Sequence, residues 1–239
     1  MTATGNAAPA RAWQVVLARI ESDLLAGRLL PGDHLPPERE LSAQLGVGRS
    51  SVREALRVLE VMGLIRTATG SGPTSGAIVI ATPTGGMSAF LRLQVAAQGF
   101  PLEDVVATRL VLEESVARSV AAVPSPDLGV AREAIDAMEA GNLTTAEFLA
   151  LDAQFHLALA QASGNVVIAA LMAGLRTAIE SYVLEASQRI PDWSAVEERL
   201  RAEHRGILSA IEDGDADAAA SRVHDHITGY YAQARPARD

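Results

Sequence analysis

The chain has 239 residues, a formal net charge of −9 and no cysteine. That length suits one large domain or two ordinary ones, and the missing thiols exclude disulfides and thiolate metal sites. No basic segment followed by an apolar core opens at Met1-Thr2-Ala3, and no apolar run approaches the ~20 residues that cross a bilayer, so a soluble cytoplasmic protein without a membrane partner is expected. The acidity argues against a polyanionic partner only until it is located. Residues 1–80 hold eight arginines against seven acids, whereas the rest holds twelve against twenty-two. Repulsion of nucleic acid is thus confined to the second part.

After ten small, polar residues expected to be disordered, Trp13, Val16, Leu17, Ile20, Leu24 and Leu25 write an amphipathic helix over 11–26 that Gly27 stops. A turn at 29–33 leads into LPPERELSAQLGVGRSSVREALRVLEVMGLI, residues 35–65. Leu41, Leu45, Val52, Leu56 and Leu59 recur there at helical spacing around Gly46-Val47-Gly48, which reads as a helix-turn-helix. Ser51 and Glu54 stand in capping-box spacing at the start of the second helix. Arg49, Arg53 and Arg57 lie near or along one side of it, where they can reach phosphates and guanine edges in a major groove. Two short strands, 64–67 and 77–80, would flank a wing.

The composition break at Thr82-Pro83-Thr84-Gly85-Gly86 places a domain boundary, giving domains 1–82 and 83–239. Helical patterns follow over 87–98, 102–122, 127–140, 145–162, 166–189, 195–213 and 215–234, separated by Gly, Pro, Ser and Asn breaks. With no strand signal, the second domain reads as an antiparallel all-α bundle, and the protein as mostly α. Asp152 and His156 stand four apart on one helix and so leave the same face, with His204 and His226 on two later helices. A carboxylate and three imidazoles converging from three helices would bind a divalent cation. Spacing alone decides little, because a helical histidine is more often a surface or hydrogen-bonded core residue.

The string from Leu35-Pro36-Pro37-Glu38-Arg39-Glu40-Leu41 through Val52-Arg53-Glu54-Ala55-Leu56 to Gly63-Leu64-Ile65 resembles the winged helix-turn-helix of GntR-family bacterial transcription regulators. Gly48 stands where that family usually has Ser or Thr, Ser51 where it often has Pro, and the wing from Thr67 to Gly76 is longer than usual. The resemblance implies groove recognition by Arg49 and Arg53, with Arg39, Ser50 and Ser51 on phosphates. Asp152-x-x-Phe155-His156, Ser163-Gly164-Asn165, Glu203-His204-x-x-Ile207-Leu208 and His226-Ile227 resemble the FCD ligand domain of the FadR subfamily. In its metal-binding members the positions of Asp152, His156, His204 and His226 are the ligands, zinc being the first expectation and nickel or manganese the others.

The same resemblance places Arg109, with Glu113 one turn on, facing the metal cavity, where its guanidinium fork would receive a small organic acid. The alternative is a surface ion pair between the two. His224 is off the pattern and expected to face solvent, and Asp225 could orient a ligand. The implied function is a homodimeric repressor that reads an inverted-repeat operator and is controlled by a carboxylate effector. Two other readings stay open: a regulator for which the cation itself is the signal, and a metal-dependent hydrolase, although no His-Glu-x-x-His is present.

Overall fold

The structure, a computed structural model, describes residues 11–68, 76–81 and 84–234; the first ten residues and most of the expected wing lie outside them. The chain forms two compact units, Met1–Gly86 and Met87–Asp239.

In the first unit, α1 (Ala12–Leu25), α2 (Glu38–Leu45) and α3 (Arg49–Val61) precede β1 (Ile65–Ala68) and β2 (Gly76–Val79). Val16 and Ile20 of α1 close over Leu41 of α2 and Val52, Leu56 and Leu59 of α3, with Trp13, Leu17 and Leu24 half-buried beside them. Leu25, expected on this apolar face, is 82% exposed. At about 100° per residue it lies well off the face of Val16 and Ile20, which Leu24 continues instead. Gly46, at φ 64°, ends α2 in the left-handed conformation that glycine adopts without strain. α3 starts directly after Gly48, which contributes no side-chain cap, so the expected Ser51–Glu54 capping box does not form. Ser51 already lies inside the first turn, where a hydroxyl cannot serve as the N-cap.

β1 and β2 pair antiparallel, with Ile65 opposite Val79. Glu60 of α3 accepts hydrogen bonds from the Thr67 N–H and hydroxyl, which ties the hairpin to the helix before it. The segment expected as a turn does more than turn. Leu35 N–H donates to the Ala77 carbonyl and Val79 N–H to that of Asp33, and His34 forms a bridge with Ile78, so this stretch lies along the outer edge of β2.

The helices that follow are α4 (Thr84–Ala96), α5 (Leu102–Ala121), α6 (Gly129–Glu139), α7 (Thr145–Ala162), α8 (Val166–Ser187), α9 (Trp193–Glu212) and α10 (Ala216–Ala234). Among the described residues the second unit contains no strand, and α5 touches α7, α8, α9 and α10. Phe148, Phe155, Leu200, Ile207 and Ile211 form the fully buried centre of its core. α8 is apolar and long enough to cross a bilayer by length and composition, contrary to the expectation that no such run exists. It is nonetheless a bundle helix: it buries Met172, Leu175 and Ile179, and Arg176 in its middle donates to Asp152 of α7.

Two caps fix the helices that matter most. Thr144 and Glu147 form a reciprocal capping box at the start of α7, and Asn165 accepts from the Val167 and Ile168 N–H groups at the start of α8. Thr144→Ala leaves the α7 donors without this partner and should lower stability by about 1 kcal/mol. Chemical denaturation at fixed metal content measures it, and an unchanged midpoint would contradict the role given to the cap.

Candidate functional site

The sequence places Asp152 and His156 one turn apart on α7, and packing around Phe155 brings them against His204 of α9 and His226 of α10. One ligand atom from each of the four lies within 4.8 Å of every other. Asp152 Oδ1 is 3.0 Å from His204 Nε2, 3.6 Å from His226 Nε2 and 3.8 Å from His156 Nε2, and the Nε2 atoms of His156 and His226 are 3.1 Å apart. Bonds of ~2.0–2.1 Å around a tetrahedral cation give donor separations of about 3.3 Å, inside this spread. The three histidines are buried.

The second nitrogens decide what the cluster can hold. His156 Nδ1 lies 2.5 Å from Glu113 Oε2, and His226 Nδ1 lies 2.9 Å from Glu203 Oε2. The Glu203 carboxylate at His226 Nδ1 and the Glu113 carboxylate against His156 Nδ1 favour the tautomers that turn an Nε2 lone pair toward the cluster. A cation between these two nitrogens, 3.1 Å apart, would accept both lone pairs. His204 Nε2, although close to Asp152, has no hydrogen-bond partner. A divalent cation satisfies all four donors at once.

The charge states agree. Burial, with Arg176 nearby, pushes the His156 imidazole down to about 3. Burial and the neighbouring His226 lower His204 as well. Both therefore stay neutral, as ligation needs. Burial opposes charge on Asp152, but its contacts with His204 and His226 outweigh that and hold the carboxyl well below its usual range. Burial likewise opposes a proton on His226, yet Asp152 and Glu203 raise it above the ordinary imidazole value.

Asp152 and His226 open onto a cavity of about 400 Å³ whose wall includes Arg109, Arg176, Tyr230 and Tyr231. Arg109 and Glu113 are 5% and 3% exposed, which rules out a surface pair. Arg109 donates from Nε and Nη2 to Glu113 Oε1 at 3.0 and 2.8 Å and from Nη1 to the Tyr231 hydroxyl at 2.9 Å. Every nitrogen of its fork is engaged. Arg176 differs: Nη1 donates to Asp152 Oδ2 at 3.1 Å, while Nε and Nη2 are buried without a hydrogen-bond partner. His224 is exposed and lies against Glu114, and Asp225 is exposed too; Glu113 and Glu203 are the acids that face the cluster histidines.

At the other end of the chain, Arg39, Arg49, Ser50 and Arg53 are exposed and Ser51 is half-buried, on and beside α3, while the opposite face carries Val52, Ala55, Leu56 and Leu59 into the core. Arg53 lies 3.4 Å from Glu38, both well exposed. In water such a pair is weak enough to yield to a phosphate or a base.

Residues 104–229 match the FCD domain and residues 13–74 match bacterial regulatory proteins of the gntR family. The putative L-lactate dehydrogenase operon regulatory protein of Escherichia coli K12 is 31% identical over 232 residues, covering 90% of this chain and 86% of its own. The chain belongs to the GntR family, with an FCD second domain. Other GntR relatives act in opposite directions. The transcriptional repressor NanR of Cronobacter sakazakii is 29% identical, covering 92% of this chain and 84% of its own, and the Glc operon transcriptional activator of E. coli K12 is 28% identical, covering 90% and 85%. As a GntR-family member, this chain is a DNA-binding transcription regulator and not an enzyme.

Within that family frame, the FCD match contains the whole Asp/His₃ cluster, and the gntR match contains α3. Sequence reasoning missed Arg176, Tyr231 and the placement of Glu203. A lone arginine inside the apolar run 166–179 was the available signal for the first. Acids that orient metal-binding histidines are worth roughly 10–100-fold in metal affinity. Glu203→Gln, at a half-buried position, should therefore weaken zinc binding by about that factor without unfolding the chain. Competition against a chromogenic chelator measures it, and unaltered affinity would remove Glu203 from the site.

Proposed function

We propose that this regulator is a cytoplasmic homodimeric repressor whose operator affinity is set by a small carboxylate bound at a metal centre of Asp152, His156, His204 and His226. The observation that carries the reading is the buried cluster itself, whose lone pairs call for a cation and which opens onto an arginine-walled cavity. Zinc is the first choice, because three imidazoles and one carboxylate suit it, with nickel or manganese as the others. When bound, the metal supplies a Lewis-acidic position that accepts a carboxylate oxygen. Asp152 and the three histidines hold it, Glu113 and Glu203 orient the histidines, and the arginines of the cavity wall receive the rest of the anion. Arg109, engaged with Glu113, acts on the effector through the Tyr231 hydroxyl, whose own proton is left to donate.

On DNA, each protomer places α3 in the major groove of one half of an inverted repeat. Arg49 and Arg53 read base edges, Arg53 exchanging Glu38 for its target, while Arg39, Ser50 and Ser51 rest on phosphates. One such head reads few base pairs, so tight binding couples two. The acid shifts the balance between a DNA-competent and an incompetent arrangement, by no more than its differential affinity for the two.

Arg49→Ala or Arg53→Ala should cost about 1–3 kcal/mol on operator and relax sequence preference, as loss of a base contact does. Binding as tight as the parent's at matched salt would overturn the recognition assignment. Sedimentation should show a dimer at micromolar concentration. Titrating operator with metal-free, zinc-loaded and acid-loaded protein tests the signal: release only when acid is added supports the reading, whereas release on zinc loading alone makes the cation the signal.

A further inference from the structure

The cavity beside the metal cluster is lined mostly by apolar side chains. Its acidic and basic lining residues are Arg109, Asp152, Arg176, Glu180 and His226. Asp152 and His226 belong to the cluster, and Arg109 has all its nitrogens bonded to Glu113 and Tyr231. Arg176 is the lining cation with nitrogens that have no hydrogen-bond partner at all. Arg176 is nine-tenths buried, 3.7 Å from Glu113 through Nη2 and held by hydrogen bond only through Nη1 to Asp152. Its Nε and Nη2 have no hydrogen-bond partner and are closed to water. These two nitrogens form the guanidinium edge that grips a carboxylate through parallel N–H bonds. Burying them unpaired costs free energy that an anion would return.

Much of the rest of the wall is aliphatic, from Leu149 and Leu157 of α7 and Val183 and Leu184 of α8, all half-buried. The remaining charged residue, Glu180, is an exposed carboxylate. A second acidic group on a ligand would find no free cation there and would be repelled by Glu180. An apolar body would find aliphatic surface.

We propose that the effector is a carboxylic acid with a single acidic head and an apolar body, the head anchored by Arg176 beside the metal and the body lying against Leu149, Leu157, Val183 and Leu184. This rests on the carboxylate-effector reading above and narrows it to one chemical class. Short hydroxy acids and dicarboxylates would leave the aliphatic wall either empty or facing a buried charge.

Calorimetry on the zinc-loaded full chain tests this with acetate, butyrate, hexanoate and adipate. Burial of each additional methylene should tighten binding about fourfold, so each step from acetate to butyrate to hexanoate should gain roughly 15-fold. Adipate, which matches hexanoate in length but ends in a second carboxylate, should bind no better than acetate. Arg176→Gln should weaken every acid at least tenfold while keeping the dependence on chain length. A flat series, or adipate tighter than hexanoate, overturns the apolar class but leaves a carboxylate effector standing. No binding of any acid overturns both. Hexanoate bound equally well by folded Arg176→Gln protein overturns the anchor, and should that variant fail to fold, the series on the unaltered chain decides the class.

Discussion

Glu113 is the constraint around which the second domain is assembled. It is a carboxylate in the interior of a bundle, on the helix that touches four others, and an ion there must be compensated from several sides. Arg109 compensates it from the same helix, His156 from α7, and Arg176 faces it from α8. Burial opposes its charge, yet His156 and the two arginines hold it well below the usual carboxylate range. Each partner is thereby placed for another task. His156 presents its far nitrogen to the metal cluster, Arg109 reaches Tyr231, and Arg176 is left half-paired beside the cavity. Removing such a carboxylate would strand three polar groups, so the site and the packing of α5, α7 and α8 cannot be altered independently.

The two domains solve the problem of charge in opposite ways. In the reading head, charges sit in water on and beside α3, backed by an apolar face, and the pair between Arg53 and Glu38 is open to exchange. In the FCD domain, opposite charges are withdrawn from water and set against one another, with some of their atoms left unpaired. An exposed set can follow a polyanion with little reorganisation, whereas a buried set responds only to a ligand that fits its vacant valences.

Much of this was legible in the sequence because it depends on period and residue type. Periodicity wrote the helix-turn-helix and the run of helices, and the resemblance to known regulators pointed to the four side chains that the structure brings together around Asp152. What was not legible depends on distant partners. The spacing of Ser51 and Glu54 is as good a capping signal as that of Thr144 and Glu147, but only the latter coincides with a helix start, since Gly48 begins α3 earlier. Residues 29–33 read as a turn, and nothing local signals that Asp33, His34 and Leu35 pair with β2, more than forty positions away. Arg176 looked like one more helical arginine until α7 supplied Asp152 and α5 supplied Glu113.

A chain without cysteine has few ways to restrain its unfolded state. His156 and His226 are 70 positions apart, and their facing nitrogens are within bonding reach of a single ion. A cation held there would act as a removable cross-link, closing a loop long enough for the entropic gain to be large. Unlike a disulfide, it would form under reducing conditions and could be withdrawn by a chelator. The last third of the molecule would then be as firmly tethered as the local supply of metal allows.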